Sequence, residues 1–171
     1  MQLRVTRLEG NRYETLIRRR DRVSFHVKGV AHMFAIPHDL AHFLVESVLR
    51  LDRGFWGSVA DGAIFKSMSY VGGRRKPKAA ERSQTVLKAN AAGLTEAEIL
   101  VRLFNDTIEQ GHGEKSPRLR ALLRGRWAPP GKPRRQFGEA EIAAVFAAYQ
   151  DVLARWRELP VGSTLEFVWK T

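Results

Sequence analysis

Val23-Ser24-Phe25-His26-Val27-Lys28 and, a few residues on, Pro37-His38-Asp39-Leu40-Ala41-His42-Phe43-Leu44-Val45-Glu46-Ser47-Val48-Leu49-Arg50-Leu51 carry two different hydrophobic periods. In the first, apolar and polar residues alternate, which predicts a strand with one face on a core. In the second, Leu40, Leu44, Val48 and Leu51 recur at helical spacing. Ala41, Val45 and Leu49 widen that face, and Pro37 suits a first helical turn. A strand region that gives way to a buried helix predicts an α+β fold.

The same patterns extend outward in both directions. Tyr13, Thr15 and Ile17 alternate with polar residues, and Leu3 and Val5 begin a similar run. Glu9-Gly10-Asn11 and Arg20-Asp21 supply turns. Leu165, Phe167 and Trp169 alternate as a last strand, expected to pair with the N-terminal meander because a lone strand leaves its backbone groups unmatched. The expectation is a small antiparallel sheet of three N-terminal strands plus the C-terminal one, packed with about five helices in a single domain. The clearest helix is Glu139–Glu158, where Ile142, Val145, Phe146, Tyr149, Val152, Leu153 and Trp156 form an unbroken stripe before Pro160. Thr95-Glu96-Ala97-Glu98 reads as a capping box opening a helix that Gly111 ends. Ser116-Pro117 caps a short helix. Phe55, Trp56, Val59, Ala60, Ala63 and Ile64 fit one helical face that Gly57 and Gly62 weaken or open to another backbone. Segment 72–82 reads as a basic loop, and Ala128-Pro129-Pro130-Gly131-Lys132-Pro133 as a stiff linker.

The chain has 171 residues and no cysteine, which excludes disulfides, zinc fingers, iron–sulfur clusters and thiol catalysis. Any metal falls to histidine and carboxylate, a set suited to zinc, iron, manganese or nickel. No secretion signal opens the sequence, and no run approaches the roughly 18 uncharged residues of a membrane span. The expectation is a soluble cytoplasmic protein with no membrane partner.

The helix 37–51 carries the candidate chemistry. His38 and His42 stand one turn apart, a spacing that lets one helix offer two ligands to one ion. His38, His42, Glu46 and Asp39 share an arc of about 120° beside the apolar face. His38 and Glu46 lie about 12 Å apart along the axis, which strains a single-ion triad, so a third ligand from another element is needed. His26, His32, His112 and Asp61 are the candidates. The candidate ligands for a divalent metal are His38, His42 and Glu46, an incomplete set from which the pair His38/His42 or His42/Glu46 serves most easily. Alternatively, His42 acts as a general base oriented by Glu46. Edge-of-core packing of the same polar residues competes with both readings. Phe43, about 140° from His38, is expected to be exposed as a pocket wall or subunit contact.

Pro37-His38-Asp39-Leu40-Ala41-His42-Phe43-Leu44-Val45-Glu46 followed by Gly54-Phe55-Trp56-Gly57-Ser58-Val59-Ala60-Asp61-Gly62-Ala63 resembles an uncharacterised family of small bacterial proteins, which transfers no function. His38-Asp39-Leu40-Ala41-His42 also resembles the His-Asp-x-x-His motif of a coenzyme Q biosynthesis family. There a glutamate follows the second histidine by twelve positions, and here that position is Gly54.

The net charge of +11 is localised. Arg74, Arg75, Lys76, Lys78 and Arg82 face only Glu81 in segment 72–82. Segment 115–137 holds eight more bases, Arg134 and Arg135 among them, and no acid. The remaining 16 bases and 17 acids nearly balance. These segments raise the alternative of a non-enzymatic nucleic-acid or polyanion-binding protein, with Trp127 and Phe137 available to stack on bases. An anionic small molecule drawn toward the histidine helix fits both readings. Gly57 and Gly62 have the spacing of a phosphate loop, but Ala63 and Ile64 replace its Lys and Ser/Thr.

Overall fold

The computed structural model describes residues 1–31, 35–125 and 136–170. Three strands open the chain: β1 (Gln2–Arg7), β2 (Arg12–Arg18) and β3 (Ser24–Val30). They are followed by α1 (His38–Leu49), α2 (Phe55–Asp61), β4 (Met68–Gly72), α3 (Ala79–Ala89), α4 (Ala91–Glu109), α5 (Pro117–Gly125), α6 (Glu139–Glu158) and β5 (Thr164–Val168). The fold is α+β. All strand pairings are antiparallel, in the order β4-β3-β2-β1-β5.

Period-two alternation places Leu3, Val5, Tyr13, Ile17, Phe25, Val27 and Leu165 on the buried face. The register matches these side chains across the sheet: Leu3 stands opposite both Ile17 and Phe167, and Ile17 opposite Phe25. β5 closes the free edge of β1, as the terminal alternation predicts, and Met1 and Trp169 continue the pairing beyond it.

Helix α1 lies over this face and packs against α2, α4 and α6. Leu40, Ala41, Val45 and Leu49 are fully buried. Helix α6 buries all seven residues of its stripe. It ends before Pro160, where the Arg7 guanidinium donates to the carbonyls of Trp156, Arg157 and Leu159 at 2.9–3.1 Å. Those carbonyls lack intrahelical partners, so a cation from β1 satisfies the helix end.

Five expectations need correction. The sheet has a fifth strand, β4. Only Met68 of that strand is buried, so an edge strand with little apolar face gave no alternation. The last four residues of the expected basic loop, 79–82, open helix α3, whose one buried residue is Ser83, again without an apolar stripe. Its alanines favour helix through propensity instead, and the described residues hold six helices. Thr95 does not open a helix: α4 begins at Ala91, and the Thr95 hydroxyl donates to the Ala91 carbonyl. Phe43 is buried against Phe167 and Trp169, ring centroids 5.0 and 6.0 Å away, because the sheet folds over that side of α1. Phe137 packs partly buried against the core rather than standing free. The Pro-rich linker, Trp127, Arg134, Arg135 and His32 lie outside the described residues.

The glycine-spaced segment is a packing device. A Cβ on Gly57 would stand 1.8 Å from the Asp52 carbonyl oxygen, so glycine lets α2 turn tightly back on the end of α1. Trp56 is fully buried there, and its indole N–H donates to the Asp39 carbonyl at 2.9 Å. No helix among the described residues is long and apolar enough to cross a membrane.

Candidate metal centre

Helical spacing stacks His38 and His42 on one side of α1, with ring centroids 4.6 Å apart and planes at 86°. His38 is half-buried, while the His42 side chain is 7% exposed. Glu98 reaches the pair from α4. Its Oε2 lies 3.1 Å from His42 Nε2 and 3.7 Å from His38 Nε2. One ligand atom from each of His38, His42 and Glu98 lies within 4.8 Å of the others, a group able to hold a metal ion.

Glu46 stands behind His42. Its Oε1 is 2.8 Å from His42 Nδ1 and accepts the Phe55 amide at 2.9 Å, while Oε2 accepts the Trp56 amide at 2.9 Å. The carboxylate is fully buried, and these three partners compensate its desolvation. Gly54 makes the approach possible, since a Cβ there would meet the Glu46 carboxyl carbon at 2.4 Å. Glu46 thus fixes the ring and leaves Nε2 to face the cavity.

The cavity holds about 360 Å³, with Phe55, Phe65 and Leu94 as its apolar wall and Asp39 and Ser67 beside the histidines. Asp39 is anchored from below by the Thr15 hydroxyl at 3.3 Å and by Tyr13. Burial raises the Asp39 carboxyl above its ordinary range against those hydrogen bonds, and burial also raises the Tyr13 phenol.

Burial alone would lower His42. Hydrogen bonds to Glu46 and Glu98, one on each ring nitrogen, outweigh it and push the imidazole up to about 9. Burial and the neighbouring His42 charge lower His38, with Glu98 opposing. The hydrogen bond to His42 holds Glu98 below its usual range.

Of the residues singled out in the sequence, His38 and His42 come together with Glu98, and Glu46 joins them only through the far nitrogen of His42. The other proposed third ligands stand elsewhere. His26 pairs with Glu14 at 3.0 Å on the sheet, Asp61 lines a separate basic cavity, and His112 lies outside the group. Glu98 escaped notice because the supposed capping box accounted for it. Its signal was position: it continues the stripe of Leu94, Ala97 and Val101, where a carboxylate is out of place on a core-facing helix.

The basic segment 72–82 runs from the last residue of β4 into the first turn of α3, and its bases are exposed. Arg75 stacks over Tyr70, 4.4 Å from the ring centroid, and Lys78 lies 3.7 Å from Glu81. Arg74 and Lys76 are exposed beside them. Compared with models of known protein families, with curated proteins and with solved structures, the chain shows no match.

Proposed function

We propose that the protein binds a divalent transition-metal ion through His38 Nε2, His42 Nε2 and a Glu98 carboxylate oxygen, and uses it on a small anionic molecule in the adjoining cavity. The observation that carries this reading is Glu46, a fully buried carboxylate on the far nitrogen of His42, itself held by two backbone amides. A carboxylate in that position fixes the tautomer of a ligating histidine and raises its basicity. The separations from Glu98 to the two histidines, 3.1 and 3.7 Å, bracket the edge of about 3.3 Å between ligands of a tetrahedral ion with bonds of about 2.0 Å. Three protein ligands leave a position open toward the cavity, where an ion would polarise a bound oxygen or lower the pKa of a water.

Zinc titration of tag-free protein by calorimetry tests the reading, with elemental analysis of protein as purified. The expected result is one equivalent of metal, abolished in His42→Ala and weakened in His38→Gln. Wild-type and His42→Ala proteins with the same weak uptake would overturn it.

A second reading draws support from His42 lying between two carboxylates: a protonated imidazolium that bridges α1 and α4 without any metal. Nitrogen-15 NMR of the His42 ring separates the two. A ring doubly protonated at pH 7 that zinc leaves unchanged favours the bridge, whereas loss of the Nε2 proton on zinc addition favours the metal centre.

A further inference from the structure

At the other end of α2 from the histidines, Arg19 sits in the turn between β2 and β3 with its side chain only 9% exposed. Its Nε and Nη2 grip Asp21 at 3.2 and 2.7 Å, and its guanidinium lies 5.2 Å from the centroid of Phe25. The remaining nitrogen, Nη1, is buried and has no hydrogen-bond partner among the described residues. Buried guanidinium donors seldom go unmatched, because losing water without gaining an acceptor is costly.

The surroundings of that nitrogen favour an anion. Arg19 lines a cavity of about 110 Å³ with Arg75, Lys76, Arg82 and the first residue of α3, Ala79. The eleven-residue helix α3 has no side-chain cap among the described residues, and its first amides, without intrahelical partners, and its dipole favour negative charge. Two acids also line the cavity, Asp21 and Asp61. Asp21 is occupied by Arg19 and by the Val23 amide at 3.2 Å. With Arg19 and Asp21 paired, three further cations, Arg75, Lys76 and Arg82, face one further carboxylate, Asp61. The volume is that of roughly four waters, enough for a tetrahedral oxyanion and too small for a nucleobase.

We propose that Arg19, Arg75, Lys76 and Arg82, with the first turn of α3, form a site for one phosphate group carried by a small molecule. The buried Arg19 supplies a fixed donor at the floor, the three exposed bases supply charge at the mouth, and the helix amides supply neutral donors. The site stands independently of the metal centre, since none of these residues approaches His38, His42 or Glu98. It also gives part of the basic segment 72–82 a role that simple solubility does not: Arg75 and Lys76 converge with Arg19 and Arg82 from two other elements.

The test is proton–nitrogen NMR of the full chain titrated with inorganic phosphate and, separately, glycerol 3-phosphate, at ionic strength held constant with sodium chloride. Saturable shifts are expected at the amides of Ala79 and Ala80 and at the Arg19 side chain, with sulfate competing. Arg19→Gln weakens binding about tenfold and Arg82→Ala somewhat less, whereas Asp61→Asn tightens it. Arg19→Gln risks the β2–β3 turn, so the exposed double variant R75A/K76A provides the same readout on an intact fold. Non-saturating drift, or equal half-saturation in wild type and in the R75A/K76A variant, would overturn the site. So would a single-stranded oligonucleotide that binds these residues and is not displaced by either phosphate compound.

Discussion

Helices α1 and α6 pack against each other in the core, yet they are built on opposite plans. Helix α6 buries seven side chains over twenty residues, all aliphatic or aromatic, and the Tyr149 hydroxyl finds its polar partner in Asn105. Helix α1 buries eight of twelve, and two of those are His42 and Glu46. The α6 stripe stabilises by removing hydrocarbon from water and depends on volume and shape. The α1 cluster must first overcome the desolvation of a carboxylate and an imidazole. It is tolerated because each buried acceptor meets a donor of fixed geometry. A fold that needed only stability would repeat α6. The presence of α1 points to a demand on His42 that packing does not explain.

The strongest way to break this contrast is to remove Glu46. Glu46→Ala strands the Phe55 and Trp56 amides and His42 in a dry interior, and the expected loss is about 3–5 kcal/mol in urea unfolding. Leu153→Ala on α6 is expected to cost about 2–5 kcal/mol through its cavity, so magnitude alone does not tell the helices apart. Their pH dependence does. The Leu153→Ala loss stays the same at pH 6.5 and pH 10. The Glu46→Ala loss shrinks at the higher pH, because wild-type His42 no longer carries the charge that Glu46 stabilises. Equal losses at both pH values would remove the electrostatic half of the comparison.

Gly54→Ala comes next. A Cβ there collides with the Glu46 carboxylate, and relieving the overlap is expected to cost about 1–3 kcal/mol. Unlike an overpacked hydrocarbon, it also displaces Glu46 from His42. The His42 ring should therefore titrate lower in the variant, which NMR reads directly.

Wild-type metal-free protein has its own pH signature. His42 titrates near 9 when folded against about 6.5 in the unfolded chain. A folded pKa above the unfolded one gives stability that is fully present below about 6.5 and is lost as pH rises through about 9. The expected decline is on the order of 2 kcal/mol after allowing for solvent screening at the exposed Glu98. A flat profile across that window, or the same decline in His42→Gln, would show that the imidazole is not the titrating group.

What the sequence revealed follows the same division. Helix α6 was legible with its bounds, and β1, β2, β3 and β5 were legible as strands, because each repeats an apolar residue at the period of its element. The pair His38 and His42 was legible because one helix carries both. Glu98 lies fifty-six positions from His42, and only the packing of α4 on α1 brings it there. β4 and α3 were missed for the converse reason: each contributes one buried side chain, Met68 or Ser83, so neither writes a period into the sequence. Arg19 carried no signal in the sequence that set it apart from the other bases. Its burial depends on Phe25 and Asp21 closing around it.

The smallest expected effect on stability is also the sharpest test of purpose. Glu98 is 59% exposed, so its ion pair with His42 is screened on one side, and Glu98→Gln is expected to cost under about 1 kcal/mol. Glutamine keeps an oxygen within reach of His42 and about the same volume, so α1 and α4 stay docked. The charge, however, is gone. A divalent ion that relied on a carboxylate there loses its anionic ligand, and zinc affinity is expected to fall by about 10–100-fold, as it does for lesser disturbances of metal sites. Large loss of affinity with little loss of stability would mark Glu98 as a ligand, held at the surface end of a cluster whose buried end, Glu46, serves to aim it. Unchanged affinity in Glu98→Gln would leave His38 and His42 as a bare pair, and α1 would differ from α6 only in how it is packed.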